Sequence, residues 1–276
     1  MTIPNLKMYI KILLIFIIYL IDYDNILSQT KSHQLKQEIN KDNTNSKNQY
    51  TPELAKEIIQ KSENLRSEPQ AKTQVTLTTI EDNITTQYEL LIFKSTEQRA
   101  YVEFLSPPEE VGRKMLTIKK QYWSSFPDSK KVIPISKKEM IGNSAFAMAD
   151  LFQIDPDKEY DPSIDKEEIC TIQNKKIKCL KLNLIQKSPE ASYYKIEYFV
   201  DASTHYPLLS KFYGISNKLL KTMFVEKSAN LAGKFRPVTL KMIDNTVKNK
   251  ISIWETKSLI PMKIPDNVFT KDYLKK

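Results

Sequence analysis

Apolar and polar side chains alternate with a period of two along most of this chain, and this pattern constrains the fold more than any other feature. The alternation runs through roughly a dozen segments, and three clear examples are Ala100–Phe104, Tyr193–Val200 and Arg236–Ile243. Side chains of a β-strand point alternately to the two faces of a sheet, so these segments are half-buried strands. Since no strand–helix–strand alternation accompanies them, the sequence predicts an antiparallel sheet that is closed or nearly closed on itself.

One helix is expected before the strands. Thr51 is a suitable N-cap, Pro52 occupies the first helical position, and apolar residues recur on one face from Leu54 to Leu65. We expect that face to pack on the sheet.

The strand pattern is interrupted between Ser136 and Asp165. Within this stretch Ser144 is a suitable cap for a short helix, whose large apolar side chains are Phe146, Met148, Leu151 and Phe152. A long insert without strands is functional more often than idle in a β protein, so we interpret it as a lid over the sheet. Permanent packing into the core is the alternative.

The N-terminus has the order of charge and hydrophobicity that is typical of a secretory signal peptide. Lys7 and Lys11 precede an uninterrupted apolar run, Ile12–Ile21. This run is about half of the roughly 20 residues that a membrane-spanning helix needs. We therefore expect a cleaved signal peptide over residues 1–28, with the cut after Ser28. No Cys follows the run to accept a lipid, so the mature protein is expected to be exported and soluble.

Residues 29–50 are almost wholly polar and rich in Asn, Lys, Gln and Ser. Such a segment cannot bury enough apolar surface to offset its ordering entropy, so we expect a disordered linker here. The remaining residues, 51–276, are expected to form one domain.

Composition excludes several classes of protein. The net charge is +9, yet the basic residues are spread along the chain and no basic block stands beside stacking aromatic residues, so nucleic acid is not expected as a partner. The four glycines form no phosphate-binding or dinucleotide motif, and G-x-S-x-G is absent. His33 and His205, the only histidines, fall in the linker and in a turn, which leaves a nucleophile without a base. The sequence therefore predicts no enzyme, with no catalytic residue, no metal site and no cofactor.

The two cysteines, Cys170 and Cys179, are nine positions apart in an exported chain. If Asn174 and Lys175 form a two-residue hairpin turn, the cysteines face each other across the two strands, at a separation that a disulfide tolerates. We expect this disulfide as a staple on the outer surface. Two unrelated thiols are the alternative.

Several strands carry large apolar side chains on both faces, as Leu90 and Ile92 do against Leu91 and Phe93. Two apolar faces require a second cover or a ligand. A thick core and a ligand-lined concavity both satisfy this requirement.

A series of segments resembles the outer-membrane lipoprotein-sorting protein family, the relatives of the LolA periplasmic carrier. The matching segments are Val102–Leu116 with its Pro-Pro and Gly, Tyr122–Val132 with its Trp, Pro and Lys residues, Ile141–Leu151, Tyr194–Asp201 and Ile264–Leu274. The resemblance covers Thr51 to Leu274, and it is the order and spacing of the segments together that make it specific.

The resemblance implies a mainly β fold, an antiparallel unclosed β half-barrel of roughly eleven strands, with an N-terminal helix and a short helical lid insert over a concave apolar face. Acyl chains offer only dispersion and hydrophobic contacts, so broad and adaptable apolar surface should bind them. The residues expected to line the cleft and its lid are Phe104, Met115, Trp123, Phe126, Phe146, Met148, Leu151, Phe152, Met223 and Trp254.

By the same resemblance the expected function is a periplasmic carrier of lipoprotein acyl chains or phospholipid, working between an inner-membrane exporter and an outer-membrane acceptor. A lipid- or lipoprotein-sensing adaptor on the same scaffold is the first alternative, and a lipid hydrolase is the second. The family also has an arginine that locks the lid. The sequence does not decide its counterpart among Arg66, Arg99, Arg113 and Arg236.

Overall fold

A computed structural model describes residues 50–129 and 131–276. The expected signal peptide, residues 1–28, and all of the expected linker except Tyr50 lie outside the described residues, so both stay predictions. Within the described part of the chain, no helix combines the length and the apolar character that crossing a bilayer requires.

The predicted helix is present as α1, Pro52–Arg66. The side chain of Thr51 accepts a hydrogen bond from the backbone N–H of Leu54 at 3.1 Å, so Thr51 is the N-cap and Pro52 follows it, as predicted. The buried face of α1 carries Ala55, Ile58, Ile59, Ser62 and Glu63. Two of these five residues are polar, which is important for the site described below.

Thirteen strands follow in the described residues, two more than the roughly eleven that the resemblance implies. Their bounds are β1 Ala71–Glu81, β2 Ile84–Ser95, β3 Arg99–Ser106, β4 Lys114–Ile118, β5 Gln121–Ser125, β6 Val132–Ile135, β7 Tyr160–Ile172, β8 Lys175–Gln186, β9 Lys195–Asp201, β10 Pro207–Tyr213, β11 Leu219–Leu231, β12 Lys234–Asp244 and β13 Ile251–Pro261. All neighbouring pairs are antiparallel, which confirms the predicted fold class.

The strands form one sheet in the order β6-β5-β4-β3-β2-β1-β13-β12-β11-β10-β9-β8-β7. Strands that are neighbours in sequence therefore pair, with the exception of β6 and β7, and β1 also pairs with β13. The edge strands β6 and β7 are not hydrogen-bonded to each other in the described residues, so the sheet is an open half-barrel, as expected. Residues 136–159, which we call the insert, connect these two edges.

Side chains bring the two edges together where strand pairing does not. Lys120, in the turn after β4, forms ion pairs with Glu159, at 3.5 Å, and with Glu190. Gln98 also donates to Glu159, at 3.3 Å, and the Lys137 ammonium donates to the carbonyl of Ala191 at 3.0 Å. These contacts form a polar seam where the barrel would otherwise close through backbone hydrogen bonds.

The outer face of β3–β5 is covered by the C-terminal segment, residues 262–276. It contains two short 3-10 helices, Asp266–Phe269 and Tyr273–Lys275. A buried cluster joins this cover to the strands, and its members are Tyr101, Leu116, Trp123, Ile264, Val268, Phe269 and Leu274.

Cys170 and Cys179 are joined by a disulfide, with their Cα atoms 5.9 Å apart. The expected turn at Asn174-Lys175 is wrong by one position, because Gln173 and Asn174 adopt the left-handed conformations of a two-residue hairpin turn. Ile172 consequently faces Lys175, and the cysteines lie on a diagonal of the ladder. The disulfide is also buried, in a cluster with Phe199 and Leu208, rather than exposed at the surface.

Candidate site under the insert

The concave face of the sheet can be followed through the strand register. Side chains in one row across neighbouring strands point to the same face, and three such rows are Val75, Leu90 and Phe104; Val225, Leu240, Trp254 and Leu77; and Leu182, Tyr198, Ser210, Met223, Met242 and Ser252. The rows are apolar apart from two Ser hydroxyls and the Tyr198 phenol. This face therefore supplies the broad hydrophobic surface that the sequence predicts.

The insert lies across this face. Phe146 packs on Trp254 with the ring centroids 5.4 Å apart, and the backbone N–H of Ala145 donates to the hydroxyl of Ser252 at 2.8 Å. At Gly142, which has φ +60°, an added Cβ would lie 2.7 Å from the Tyr88 ring. Only glycine satisfies both the left-handed backbone and this close approach.

The helical part of the insert is one 3-10 turn, Met148–Leu151. The expectation that Ser144 caps it is wrong, because the Ser144 hydroxyl accepts from the backbone N–H of Phe146, at 3.0 Å, within a tight turn. Asp150 takes the capping role instead, accepting from the N–H of Ala147 at 2.8 Å. The insert also ends earlier than Asp165, since β7 begins at Tyr160.

A buried ion pair at the end of α1 holds the insert. Arg66 donates from Nη2 to Glu63 at 2.6 Å and, with the same nitrogen, to the carbonyl of Phe152 at 2.6 Å. Arg66 Nη1 donates to the carbonyl of Asp150 at 3.3 Å. In return, Glu63 accepts from the backbone N–H of Ile154 at 2.8 Å. Arg66 is thus the arginine that binds the insert, and we call this set of contacts the clamp.

Electrostatics keep the clamp ionised. Burial alone would raise the pKa of Glu63, but the Arg66 guanidinium and the hydrogen bonds from Ile154 and Tyr198 hold it below its ordinary value. The Tyr198 phenol donates to Glu63 at 2.8 Å and lies 3.0 Å from the Ser62 hydroxyl. Both polar residues on the buried face of α1 therefore have partners.

A second polar contact fixes the insert through Asp150. Its carboxylate accepts from the Tyr193 phenol at 2.7 Å and forms an ion pair with Lys221 of β11 at 3.4 Å. Burial and the Asp150 charge raise the pKa of Tyr193 well above its ordinary value, so Tyr193 stays a donor at neutral pH. Asp150 consequently ties the insert to the half of the sheet that β7–β13 form.

Two of the cavities that the insert lines lie over the concave face. The first, of about 70 Å³, is lined by Tyr122, Tyr160, Ile196 and Phe212 and opens toward the polar seam. The second, of about 90 Å³, which we call the lysine cavity, is lined by Lys94 and other polar residues and by an apolar set that includes Ile92, Leu151, Leu240, Trp254 and Leu259. Both are smaller than a cavity of about 150 Å³, which binds a molecule of the size of benzene.

The structure brings most of the predicted site residues together. Phe146, Leu151, Met223 and Trp254 line the lysine cavity, and Phe152 and Met223 line the first cavity. Phe104, Met115 and Met148 are fully buried.

Two predicted residues lie elsewhere. Trp123 pairs with Leu116 and points to the outer face, where it joins the cluster under the C-terminal segment. Phe126 follows β5 and is 39% exposed, with the Arg113 guanidinium 5.0 Å from its ring. The aromatic character of Trp123 alone could not tell which face of the sheet it occupies. Counting positions from Met115 and Leu116 would have placed Trp123 on the outer face.

Glu63 and Asp150 were missed from the sequence, and Arg66 was only one of four candidates for the arginine that binds the insert. The contacts of Glu63 and Arg66 with the insert span more than 80 positions, so no local pattern connects them. Lys94 had a usable signal, because it continues the alternation of Leu90 and Ile92 onto the concave face.

Solved structures of other proteins share this fold. A LolA superfamily protein from Nitrosomonas europaea matches with a TM-score of 0.68 at 24% identity, covering 79% of this chain and 98% of that one. A domain assigned as an outer membrane lipoprotein-sorting protein from Vibrio parahaemolyticus matches with a TM-score of 0.69 at 21% identity, covering 82% and 100%. A DUF1329 family protein from Desulfovibrio piger has a TM-score of 0.69 at 15% identity, covering 80% and 98%.

The chain therefore has the LolA-type fold, as its sequence segments predict. No curated protein has significant sequence similarity to it. A family model described as "Uncharacterized protein" matches residues 96–276, and the chain belongs to that family.

Proposed function

We propose that this protein is an exported carrier that binds acyl chains of lipoproteins or phospholipid on its concave face. In this proposal residues 1–28 direct export, the protein works in the periplasm, and it passes its load from an inner-membrane exporter toward an outer-membrane acceptor. The observation that carries the proposal is the combination of a continuous apolar face with a cover that a buried ion pair, Glu63 and Arg66, ties to the rest of the protein.

Magnitudes support a movable insert. Burying a chain of about 14 methylenes contributes about 11 kcal/mol, at about 0.8 kcal/mol for each methylene. A hydrogen bond to a charged group contributes roughly 1.5–3 kcal/mol and a neutral one about 1 kcal/mol. The few hydrogen bonds of the clamp, together with the Phe146 packing, are therefore of a size that one acyl chain offsets. Release is equally feasible, because the clamp forms again when the chain leaves.

The site also suits reversible binding because of its side chains. Met223 and Met242 lie next to each other in the row that the insert covers, and flexible thioether side chains adapt to ligands of different shape. Tyr122, Tyr160 and Phe212 widen this surface toward the polar seam.

The test is purification of the exported protein, followed by mass spectrometry of bound lipid and titration with a fluorescent fatty-acid probe. We expect intact acyl lipid to copurify and the probe to bind with one-to-one stoichiometry. Protein that carries no lipid and binds no probe would contradict the proposal. Fatty acid released with time from a phospholipid substrate would contradict the carrier and favour the hydrolase, so the absence of enzymatic activity stays a prediction until then.

A further inference from the structure

Lys94 is the one concave-face cation of this region whose charge is not matched. Its side chain is only 9% exposed, and its ammonium group donates to the Ser67 hydroxyl and to the Leu151 carbonyl, the latter at 3.3 Å. Among the described residues, no carboxylate oxygen lies within 4.0 Å of it. A buried charge without a counter-ion is unfavourable, so this position requires an explanation.

The surrounding carboxylates do not supply a counter-ion, because each of them already has one. Glu63 pairs with Arg66 at 2.6 Å, and Glu68 pairs with Arg236 at 2.8 Å and with Lys234 at 3.3 Å. Asp150, which also lines the cavity, pairs with Lys221 at 3.4 Å. Four buried cations, Arg66, Arg236, Lys221 and Lys94, therefore face three carboxylates, and Lys94 is left over.

Arg236 adds an independent sign that this region is prepared for an anion. It is 1% exposed, and its Nε and Nη1 atoms have no hydrogen-bond partner in residues 50–129 and 131–276. Buried guanidinium N–H groups without partners are rare and call for a ligand or a strain that is compensated elsewhere. Arg236 pairs with Glu68, and Glu68 lines the lysine cavity.

The lysine cavity combines a polar part, which suits the head group of a lipid, with an apolar part, which suits its acyl chain. Its polar lining consists of Arg66, Ser67, Glu68, Thr73, Lys94, Asp150 and Thr256, and the rest of its lining is apolar. It lies where β12 and β13 separate, since their pairing stops at Thr239 and Glu255 although both strands continue. Met223 lines this cavity and also the first one, so the apolar path continues under the insert.

We propose that Lys94 binds the anionic head group, a carboxylate or a phosphate, of an amphiphile whose acyl chain lies along the concave face. This inference rests on the proposed acyl-binding function and adds the chemistry of the head group to it. The anion replaces the missing counter-ion of Lys94, while the chain runs from the lysine cavity past Met223 toward the first cavity.

Protonation of Lys94 gives the proposal a distinctive signature. Burial, together with the Arg66 and Arg236 guanidiniums, lowers the pKa of Lys94 to about 7, against the opposing effect of Glu63 and Glu68. An anion at the ammonium raises this pKa again, so binding at pH 8 takes up a proton. The affinity for an anionic probe should therefore fall as the pH rises from 7 to 9, while the affinity for a neutral probe should not.

The experiment compares four acyl probes of equal chain length on the full mature protein. Palmitate and palmitoyl lysophosphatidic acid carry a carboxylate and a phosphate, and methyl palmitate and monopalmitoylglycerol are their neutral counterparts. We expect the wild type to bind at least one anionic probe about tenfold more tightly than its counterpart. Whichever anion shows this preference identifies the head group.

Two variants assign the preference to Lys94. Lys94→Met removes the charge but keeps a long apolar side chain, and it should abolish the anionic preference and the proton uptake. Lys72→Met is the matched control, because Lys72 lies on β1 one register pair away and points to the opposite face. Lys72→Met should leave both the anionic preference and the proton uptake unchanged.

The outcomes separate this inference from the proposed function. If all four probes bind equally, or if Lys94→Met keeps the anionic preference, the head-group site is wrong while the acyl-binding function stands. If no probe binds at all, the proposed function fails and this inference fails with it.

Discussion

Two irregular segments cover the two faces of the same sheet, and they are held in different ways. The C-terminal segment, residues 262–276, buries only apolar side chains in its cluster, including Val268 and Phe269. Its ion pairs are peripheral, as between Arg99 and Asp266, whose carboxylate is largely exposed. The insert buries apolar side chains too, among them Phe146 and Met148, but it is held in addition by the buried clamp of Glu63 and Arg66 and by the contacts of Asp150.

The difference distinguishes a permanent cover from a displaceable one. Interdigitated apolar side chains lose their packing energy together when they separate, and water offers nothing in return. Hydrogen-bonded ionic groups are solvated when they separate, so their net contribution is smaller. We therefore expect the outer face to behave as core, and the concave face to act as the site of the proposed function.

The largest effect is expected in the outer cover. Replacing Phe269 by Ala should lower the free energy of unfolding by about 3–5 kcal/mol, because a buried aromatic ring is lost and a cavity remains. Urea denaturation measures this loss. The affinity for a fluorescent fatty-acid probe should not change in the folded variant, and a marked change would show that the two faces are coupled.

Breaking the clamp should lower the free energy of unfolding somewhat less and should also change the association rate of the probe. Arg66→Met should lower the free energy of unfolding by about 3 kcal/mol, since Glu63 is then buried without its counter-ion. The insert should open more often, so the association rate of the probe, measured by stopped-flow fluorescence, should rise at least fivefold.

Arg113→Met is the matched control for the clamp, because Arg113 also pairs with a glutamate three positions away, Glu110, but does not contact the insert. Its probe association rate should equal that of the wild type. An unchanged rate in Arg66→Met would show that the clamp does not limit access to the concave face.

The insert itself should respond in affinity as well as in stability. Replacing Phe146 and Met148 together by Ser should change the probe affinity by about tenfold, and the free energy of unfolding should also fall because both side chains are buried. The corresponding pair in the outer cover, Val268→Ser with Phe269→Ser, should lower the free energy of unfolding and leave the probe affinity unchanged. A large fall in melting temperature with unchanged probe affinity would make the insert ordinary core.

The smallest expected effect is the pH dependence of stability that Lys94, the lysine without a counter-ion, should cause. Above pH 7 the folded protein holds Lys94 largely neutral, whereas the unfolded chain keeps it charged up to about 10.5, so the unfolded state binds more protons. Stability should therefore rise with pH in this window by up to about 1.4 kcal/mol for each unit. The stability of Lys94→Met between pH 7.5 and 8.5 should lack this rise, and parallel curves for the two proteins would contradict it.

The sequence predicted what short-range patterns determine. Alternation identified the strands, Thr51 and Pro52 identified the start of α1, and the order of segments identified the half-barrel. The hairpin turn was misplaced by one residue because turn geometry depends on which two residues adopt left-handed conformations, and both Gln173-Asn174 and Asn174-Lys175 fit the length.

The clamp and the face of Trp123 could not be predicted in the same way. Arg66 meets Phe152 only after the insert crosses the sheet, which is a consequence of the complete topology. Trp123 is apolar enough for either face of a sheet that is covered on both sides. Long-range polar partners and the choice between two apolar faces are therefore the parts that required the structure.

The pairing of β1 with β13 also has a consequence for how the domain folds. The two halves of the sheet are simple meanders that form from local hairpins, but Ile80 meets Ile251 only when the whole domain has been synthesised. Closing such a long loop is entropically costly and slows folding, and until then both central strands have unsatisfied edges. The half-folded chain is thus most prone to aggregation at its centre, and a chaperone that shields β1 during this interval would protect the strand on which the final assembly depends.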